Sequence, residues 1–246
     1  MSAGLAALVA TLAALAASMA AFALFGARRD ADAERKGSQF LMGLGDFLVH
    51  WLMWLIGPLE RGSLRLGLTP DFYNFAGLAL GALSGLLIAA GRLELGGWAI
   101  ALGGVADIMD GRIARARGLV SSYGTFIDST LDRFVEVFAL LGFTYFLRAH
   151  ALGPLLAAAA IAGSLLVSYT RARGESVGVL CKEGLMQRAE RLVLLFLVCL
   201  LDRPLAGRFG WAPGTASVWV LGLIAAGTFA TAAHRTVWIA GRLRAR

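Results

Sequence analysis

Four aspartates in two neighbouring apolar stretches have the residue type and spacing for phosphate chemistry. Asp107 and Asp110 are three residues apart, and Asp128 and Asp132 are four residues apart. Because an α-helix turns once every 3.6 residues or so, each pair occupies one helix face. A hairpin of two such helices brings four carboxylates together, where they repel one another unless cations lie among them. Hard divalent cations with oxygen ligands, used in pairs for phosphoryl transfer, fit this pattern.

The same residues allow other interpretations. Carboxylates in apolar helices also form buried ion pairs or the proton relay of an ion-coupled transporter. Gly111 and Gly124 stand beside the aspartates and leave room for a phosphate or a flat ligand near the backbone. Small residues also serve close helix packing in membranes, so spacing alone leaves these interpretations open.

The sequence that carries these residues is too apolar for a soluble enzyme of its length. It has 246 residues, of which 58% are hydrophobic and 16% are charged, against about 25% charged in an average soluble domain. Disorder is excluded because it needs low hydrophobicity. We therefore predict an all-α integral membrane protein, since helices satisfy their own backbone hydrogen bonds in lipid. Apolar runs predict seven transmembrane helices, near 3–26, 72–91, 94–116, 121–147, 152–172, 187–203 and 214–240.

The run at 40–57 differs from these spans because Asp46 and His50 interrupt its apolar residues. Apolar residues at helical spacing with polar breaks predict an amphipathic helix in the membrane interface, with a short extra span as the alternative. A charged connector at 27–39 precedes it. No basic residue precedes the first span, so we expect an uncleaved anchor rather than a signal peptide.

The basic residues are distributed unevenly along this topology. Of the 23 lysines and arginines, 18 fall on one side of the membrane and four on the other. The positive-inside rule places the richer side in the cytoplasm, in a bacterial or archaeal inner membrane. Nucleic-acid binding is excluded because the arginines lie between apolar spans and do not form one soluble basic face.

Two further patterns concern packing and redox chemistry. Cys181 and Cys199 lack the spacing of a metal site, and they predict neither a disulfide nor a zinc centre. Gly77, Gly81 and Gly85 recur every four residues. Such a stripe predicts close helix–helix packing, most simply within the chain.

The stretch from Asp107 to Asp132 reads D-I-M-D-G-R-I-A-R, then eight residues, then G-T-F-I-D-S-T-L-D. It resembles the signature of the CDP-alcohol phosphatidyltransferase family, D-x2-D-G-x2-A-R-x8-G-x3-D-x3-D, at all eight fixed positions. The resemblance extends from about 66 to 240 and implies a six-helix core preceded by an interfacial helix. It divides the chain into an anchor and connector at 1–39, an interfacial helix at 40–66 and a catalytic membrane domain at 67–246.

The resemblance also assigns roles to individual residues. Asp107, Asp110 and Asp128 match the metal ligands, and Asp132 matches the fourth carboxylate, which is both a metal neighbour and the general base. The implied cofactors are two divalent cations, Mg²⁺ or Mn²⁺, and the implied donor is CDP-diacylglycerol, which releases CMP. The positions that match or lie near those contacting the CDP-lipid are Asn74, Gly111, Ala114, Arg115, Gly124 and Thr125.

A second polar cluster, at 168–175 and 188–191, bears on the acceptor alcohol. Its arginines suggest a phosphorylated acceptor, although positive-inside anchoring and lipid headgroup contact are alternatives. The cluster resembles the phosphatidylinositol-phosphate synthase branch and implies inositol 1-phosphate as acceptor. Gly174 and Ala189 differ from the residues that are common at these positions in that branch. A phosphatidylglycerophosphate synthase, or another CDP-alcohol phosphotransferase with a different acceptor, therefore stays an alternative. The resemblance also implies that the protein forms a homodimer and that membrane lipids are among its partners. The candidate acceptor-phosphate residues are Arg171, Arg173, Arg188 and Arg191.

Overall fold

The structure, a computed structural model, describes residues 3–26, 44–181 and 183–245. These residues form eight α-helices and no strand. The predicted connector at 27–39 lies outside the described residues, as do Lys182 and the first residues of the run at 40–57. The helices are α1 Ala3–Phe25, α2 Leu44–Leu66, α3 Pro70–Ala89, α4 Leu93–Ala116, α5 Ser122–Phe146, α6 Gly153–Ser176, α7 Arg188–Phe209 and α8 Thr215–Arg244.

Each predicted span corresponds to one helix, and the all-α membrane fold is confirmed. Among the described residues, α3, α6 and α8 are long and apolar enough to cross a membrane by length and composition alone. The other predicted core spans, α4, α5 and α7, carry the four aspartates, Arg188 and Arg191. Helices α6 and α8 extend four residues beyond the predicted apolar runs, to Ser176 and Arg244. The predicted apolar runs end before the helices do. The last turns of both helices contain charged residues, which lower the hydropathy but do not break a helix.

The chain divides into two compact units, each assembled from two segments. The first unit comprises residues 1–73 and 108–124, and the second comprises residues 74–107 and 125–246. Helices α3, α4 and α5 each contribute residues to both units. The division of the chain at residues 39 and 66 that the resemblance implies stays a prediction.

The core of the second unit lies where α5, α7 and α8 pack together with α6. Its fully buried side chains include Leu140, Phe143, Leu195, Leu221 and Ile224. Helix α8 packs against both α6 and α7. This core fixes the first turn of α7, where two of the candidate arginines lie, relative to the aspartates of α5.

The predicted glycine stripe on α3 is a packing face within the second unit. A Cβ at Gly81 would lie 2.8 Å from Cα of Val135 on α5. One at Gly85 would collide with the carbonyl of Phe138, and one at Gly142 of α5 would collide with the carbonyl of Gly85. The two backbones therefore approach so closely that any side chain at these positions would separate α3 from α5.

In the first unit, α1 packs against α2 through aromatic side chains. The Phe22 ring lies 5.4 Å from the Phe47 ring and 5.9 Å from the Trp54 ring, measured between centroids. The indole N–H of Trp51 donates to Ser18 Oγ at 3.2 Å. These contacts give α1 a defined partner, while its membrane-anchor role stays a prediction.

The end of α2 contacts Arg117, the residue that follows α4, in the same unit. Arg117 donates to the carbonyls of Leu64 and Gly67, at 3.3 and 3.1 Å. Ser63 of α2 also shares a hydrogen bond with the Tyr73 hydroxyl at the start of α3. The interfacial helix predicted at 40–66 is therefore tied to the helix that carries the first two aspartates.

Candidate active site

A short turn joins the two helices that carry the aspartates. Helix α4 ends at Ala116, and Gly118 reverses the chain with φ of 67°, a conformation that residues with a Cβ rarely adopt. The Ser121 hydroxyl then accepts a hydrogen bond from the Gly124 N–H at 3.1 Å. This is a helix N-cap, and it starts α5 at Ser122. The turn and the cap fix the register of the aspartates on both helices.

Three of the four predicted metal ligands lie together. One carboxylate oxygen from each of Asp107, Asp110 and Asp128 lies within 4.8 Å of the other two. Asp107 and Asp110 occupy adjacent turns of α4, and Asp110 is buried. We call these three side chains the aspartate trio.

The trio fits a hard divalent cation. Two oxygens bound to one Mg²⁺ at about 2.1 Å are about 3.0 Å apart when adjacent and about 4.2 Å apart when opposite, so side-chain movements on the order of 1–2 Å would bring the three oxygens onto one ion. Carboxylate oxygens are the ligands that such ions prefer. Three carboxylates this close also need a positive charge among them to remain ionised together.

The fourth aspartate has a different partner. Arg188, the first residue of α7, donates through Nη1 to Asp132 Oδ2 at 2.5 Å and to Asp107 Oδ1 at 2.9 Å. The side chains of Arg188 and Asp132 are 27% and 21% exposed, so both remain accessible to a ligand. Asp132 therefore lies beside the trio, and one nitrogen of Arg188 contacts both Asp132 and Asp107.

Another candidate acceptor residue, Arg191, is engaged below the surface. It is 1% exposed and forms a bidentate ion pair with Glu136, donating through Nη2 at 2.8 Å and through Nε. Its Nη1 donates to the carbonyl of Met186 at 3.1 Å. All three nitrogens are occupied, so a direct phosphate contact by Arg191 would require these bonds to rearrange. Its predicted phosphate contact stays a prediction.

The two remaining candidate arginines lie at the end of α6. Arg171 donates to Glu175 at 3.0 Å, four residues further along the helix, and both side chains are exposed. Arg173 donates to the Ser176 hydroxyl at 3.4 Å and is also exposed. An exposed pair of this kind contributes little stability, so both guanidinium groups are available to an anion.

The predicted CDP-lipid positions fall in both units. Within the first, Arg115 folds back so that its Nη1 would lie 3.1 Å from a Cβ at Gly111. Arg115 is exposed and Ala114 is half-buried. Gly124 is half-buried at the start of α5. A flat or phosphate-bearing ligand can approach the backbone here because Gly111, Ala114 and Gly124 have no bulky side chains.

The other two CDP-lipid positions belong to the second unit. Asn74 is buried near the start of α3, and Thr125 is exposed in the first turn of α5. Their predicted ligand contacts stay predictions.

The segment before α7 is held by a helix that the sequence did not connect with the site. Arg235 of α8 donates to the carbonyls of Glu183 and Val167, at 2.8 and 2.9 Å. Thr231 accepts a hydrogen bond from the Met186 N–H at 3.1 Å. These contacts set the path of the chain into Arg188. The sequence signal that could have revealed Arg235 is the presence of an arginine within an apolar span.

Glu136 was likewise absent from the predicted site. It follows Asp128 and Asp132 at the same four-residue spacing on α5, which places all three on one face. A fifth acidic residue in apolar surroundings was thus visible in the sequence, but its partner Arg191 was not.

The family profile for CDP-alcohol phosphatidyltransferase matches residues 68–238. The chain belongs to this family. It is therefore a transferase, and the family resemblance of the aspartate signature is confirmed. The matched segment begins after α2, so α1 and α2 lie outside it.

Several relatives share more than the signature. A phosphatidylinositol phosphate synthase of Streptomyces avermitilis is 34% identical over 195 residues, covering 75% of this chain and 78% of that protein. An archaetidylinositol phosphate synthase of Methanothermobacter thermautotrophicus is 34% identical over 131 residues, covering 53% of this chain and 66% of that protein.

Solved structures agree with the sequence comparison. The crystal structure of Mycobacterium tuberculosis phosphatidylinositol phosphate synthase with CDP-DAG bound is similar with a TM-score of 0.66 and 26% identity, covering 74% of this chain and 92% of that chain. The complex of that enzyme with manganese and citrate has a TM-score of 0.66 and 27% identity, covering 74% and 87%. The similarity to the phosphatidylinositol phosphate synthases is thus confirmed in both sequence and fold.

Proposed function

We propose that this membrane transferase moves the phosphatidyl group of CDP-diacylglycerol to a hydroxyl of inositol 1-phosphate and releases CMP. The observation that carries the proposal is that the four aspartates lie close together. Asp107, Asp110 and Asp128 form the trio of candidate metal ligands, and Arg188 joins Asp132 to Asp107. A transferase of this kind needs both parts, a cation site for the diphosphate and a separate carboxylate for the acceptor proton.

The aspartate trio holds the divalent cations, two ions of Mg²⁺ or Mn²⁺. The proximity of the three carboxylates supports this assignment, and so does the manganese in the complex of the similar M. tuberculosis enzyme. When bound, the ions neutralise the diphosphate and stabilise the charge that develops on its oxygens.

Asp132 takes the proton of the acceptor hydroxyl. The hydroxyl oxygen forms a new bond to the phosphorus that carries diacylglycerol, the bond from that phosphorus to the bridging oxygen breaks, and CMP leaves with the electron pair. Arg188 orients Asp132 through its 2.5 Å hydrogen bond. Because Arg188 also contacts Asp107, it fixes the base relative to the metal ligands.

Different residues bind the donor and the acceptor. The CDP part contacts Gly111, Ala114, Arg115, Gly124 and Thr125, with Asn74 as an outer contact. We assign the acceptor phosphate first to Arg188, whose Nε is buried and lacks a hydrogen-bond partner among the described residues. A phosphate oxygen would satisfy that donor. Arg171 and Arg173 are exposed and attract the negatively charged acceptor to the site. Arg191 either packs beneath Arg188 and supports it or binds the acceptor phosphate itself.

The site faces the cytoplasm, and the chain functions as a homodimer in a bacterial or archaeal inner membrane. The support for the orientation is the excess of basic residues on the side that carries the aspartates, 18 against four, by the positive-inside rule. The support for the dimer is the family resemblance.

The proposal is tested with purified protein, CDP-diacylglycerol labelled in its diacylglycerol part, Mn²⁺ or Mg²⁺ and one alcohol at a time. The panel contains inositol 1-phosphate, inositol, glycerol 3-phosphate and serine. We expect transfer to inositol 1-phosphate only, with equimolar CMP, and loss of transfer on chelation. Label that moves only to glycerol 3-phosphate would replace the inositol assignment by a phosphatidylglycerophosphate synthase.

A further inference from the structure

A partly buried ion pair in the first unit joins α2 to the helix that carries Asp107 and Asp110. Arg112 donates to Glu60 Oε2 through Nε at 2.7 Å and through Nη2 at 2.5 Å. Its Nη1 contacts the sulfur of Met53 at 3.2 Å. The side chains of Arg112 and Glu60 are only 10% and 18% exposed. Three nitrogens of one guanidinium are therefore fixed by α2.

Arg112 leaves α4 on the side opposite the carboxylates. Successive residues are about 100° apart around a helix, so Arg112 is about 200° from Asp110 and about 140° from Asp107. A group held at that position restricts rotation of the helix about its own axis. It does so without occupying the face that binds the substrate.

Rotation of a helix about its own axis directly displaces a metal site on its surface. A carboxylate oxygen lies about 5–6 Å from the helix axis, so a rotation of about 10° moves it by about 1 Å. Functional groups must stay within about 0.5 Å of their productive positions. A clamp on the reverse side of α4 therefore acts directly on the geometry of Asp107 and Asp110.

The clamp lies outside the residues that define the family. Arg112 occupies a variable position of the signature, between Gly111 and Ala114. Glu60 belongs to α2, which precedes the segment matched by the family profile at 68–238. Helix α2 is itself held by α1, through Trp51 and Ser18 among others. Contacts within the first unit thus hold α2, and α2 in turn holds Arg112 in the first half of the signature.

We propose that Glu60 is a positioning residue that holds Arg112 and thereby sets the rotation of α4 at which the aspartate trio binds divalent cations. This rests on the proposed metal-dependent transfer. It gives the helices that precede the catalytic core a function in the reaction. Partners of this supporting kind typically change metal affinity or activity by about 10- to 100-fold when they are removed.

The test measures Mn²⁺ binding directly, by electron paramagnetic resonance of free Mn²⁺ in detergent, together with transfer kinetics. The variants are Glu60→Gln, Arg112→Gln and the exchange Glu60→Arg with Arg112→Glu. Arg61→Gln is the matched control, because Arg61 is the next residue of α2 and is exposed. Glu60→Gln keeps the side-chain shape, so it serves if Arg112→Gln does not fold.

We expect each single variant to weaken Mn²⁺ binding about 10-fold and the exchanged pair to recover at least half of that loss on a logarithmic scale. The acceptor KM at saturating Mn²⁺ should stay within about twofold, and Arg61→Gln should match the unmodified protein. Folded Glu60→Gln with unchanged Mn²⁺ affinity would overturn the positioning role while leaving the proposed function intact. An unmodified protein that binds no Mn²⁺ and transfers without it would overturn the proposed function instead.

Discussion

Replacing Arg191 by methionine separates a supporting role from direct binding of the acceptor phosphate. In the structure, Arg191 and Glu136 are 1% and 4% exposed at the side chain and face each other in a bidentate pair. Methionine preserves much of the volume but removes the charge. The carboxylate of Glu136 then remains buried without its partner, and the Met186 carbonyl loses a donor.

The expected cost can be worked from these contacts. Removing one partner of a buried ion pair destabilises a protein by about 3–5 kcal/mol. For a chain of this length, each kcal/mol corresponds to roughly 2–4 °C in Tm, so Arg191→Met should lower the Tm by about 10 °C. Adding Glu136→Leu removes the unpaired charge. The double variant should regain all but about 1 kcal/mol, the net value of the bond to the Met186 carbonyl.

The assay combines thermal unfolding in detergent with the acceptor KM of each folded variant. We expect the double variant to be nearly as stable as the unmodified protein, with a KM for inositol 1-phosphate within about threefold. A direct phosphate contact is worth about 1.5–3 kcal/mol, which is roughly a 10- to 100-fold change in KM. A KM increase of that size without loss of stability, and without rescue at Glu136, would refute the supporting role.

Two further predictions concern packing away from the site. Asp202 of α7 accepts three hydrogen bonds at the N-terminus of α8, two of them from Ser217 at 2.9 Å; Asp202→Ala should therefore cost about 2–3 kcal/mol, seen as a lower Tm with an unchanged KM, and equal stability would contradict the cap. Gly81→Val should destabilise by about 1–3 kcal/mol, because its Cβ would lie 2.8 Å from Val135. Gly104→Ala, with nothing within 4 Å of its Cβ, is the control, and equal Tm values for the two glycine variants would argue against close packing of α3 on α5.

The sequence was sufficient to predict the helices and the residues of the signature. Spacing placed Asp107 and Asp110 on one helix face and Asp128 and Asp132 on another, since helical periodicity depends only on neighbouring residues. The glycine stripe that includes Gly81 predicted close packing for the same reason. These features are local, so no knowledge of the tertiary structure was needed.

The ion pair of Asp132 could not be predicted in this way. Its partner, Arg188, lies 56 residues further along the chain. The same limit applied to Glu60 and Arg112, which are 52 residues apart. Such pairs depend on how helices pack against one another, and several acidic and basic residues offered alternative partners of equal plausibility.

The burial of Arg191 could not be predicted from the sequence either. Its neighbours in the sequence include both a charged residue, Glu190, and an apolar one, Leu192, so they do not indicate the depth of the side chain. In the structure it turns inward, because Glu136 on α5 offers a buried carboxylate at bidentate distance. Burial of an arginine is set by its partner rather than by its own polarity.

In the proposed mechanism three aspartates bind the cations and the fourth takes the proton, and the variant Asp132→Asn distinguishes these two roles. We predict that this variant, measured in one preparation beside Asp128→Asn, loses transfer by about 10²- to 10⁴-fold while its Mn²⁺ affinity stays within about threefold of the unmodified protein. Asp128→Asn should lose Mn²⁺ binding and transfer together. Transfer by Asp132→Asn at near the unmodified rate would exclude Asp132 as the base. Loss of Mn²⁺ binding as complete as in Asp128→Asn would make Asp132 a metal ligand of equal importance.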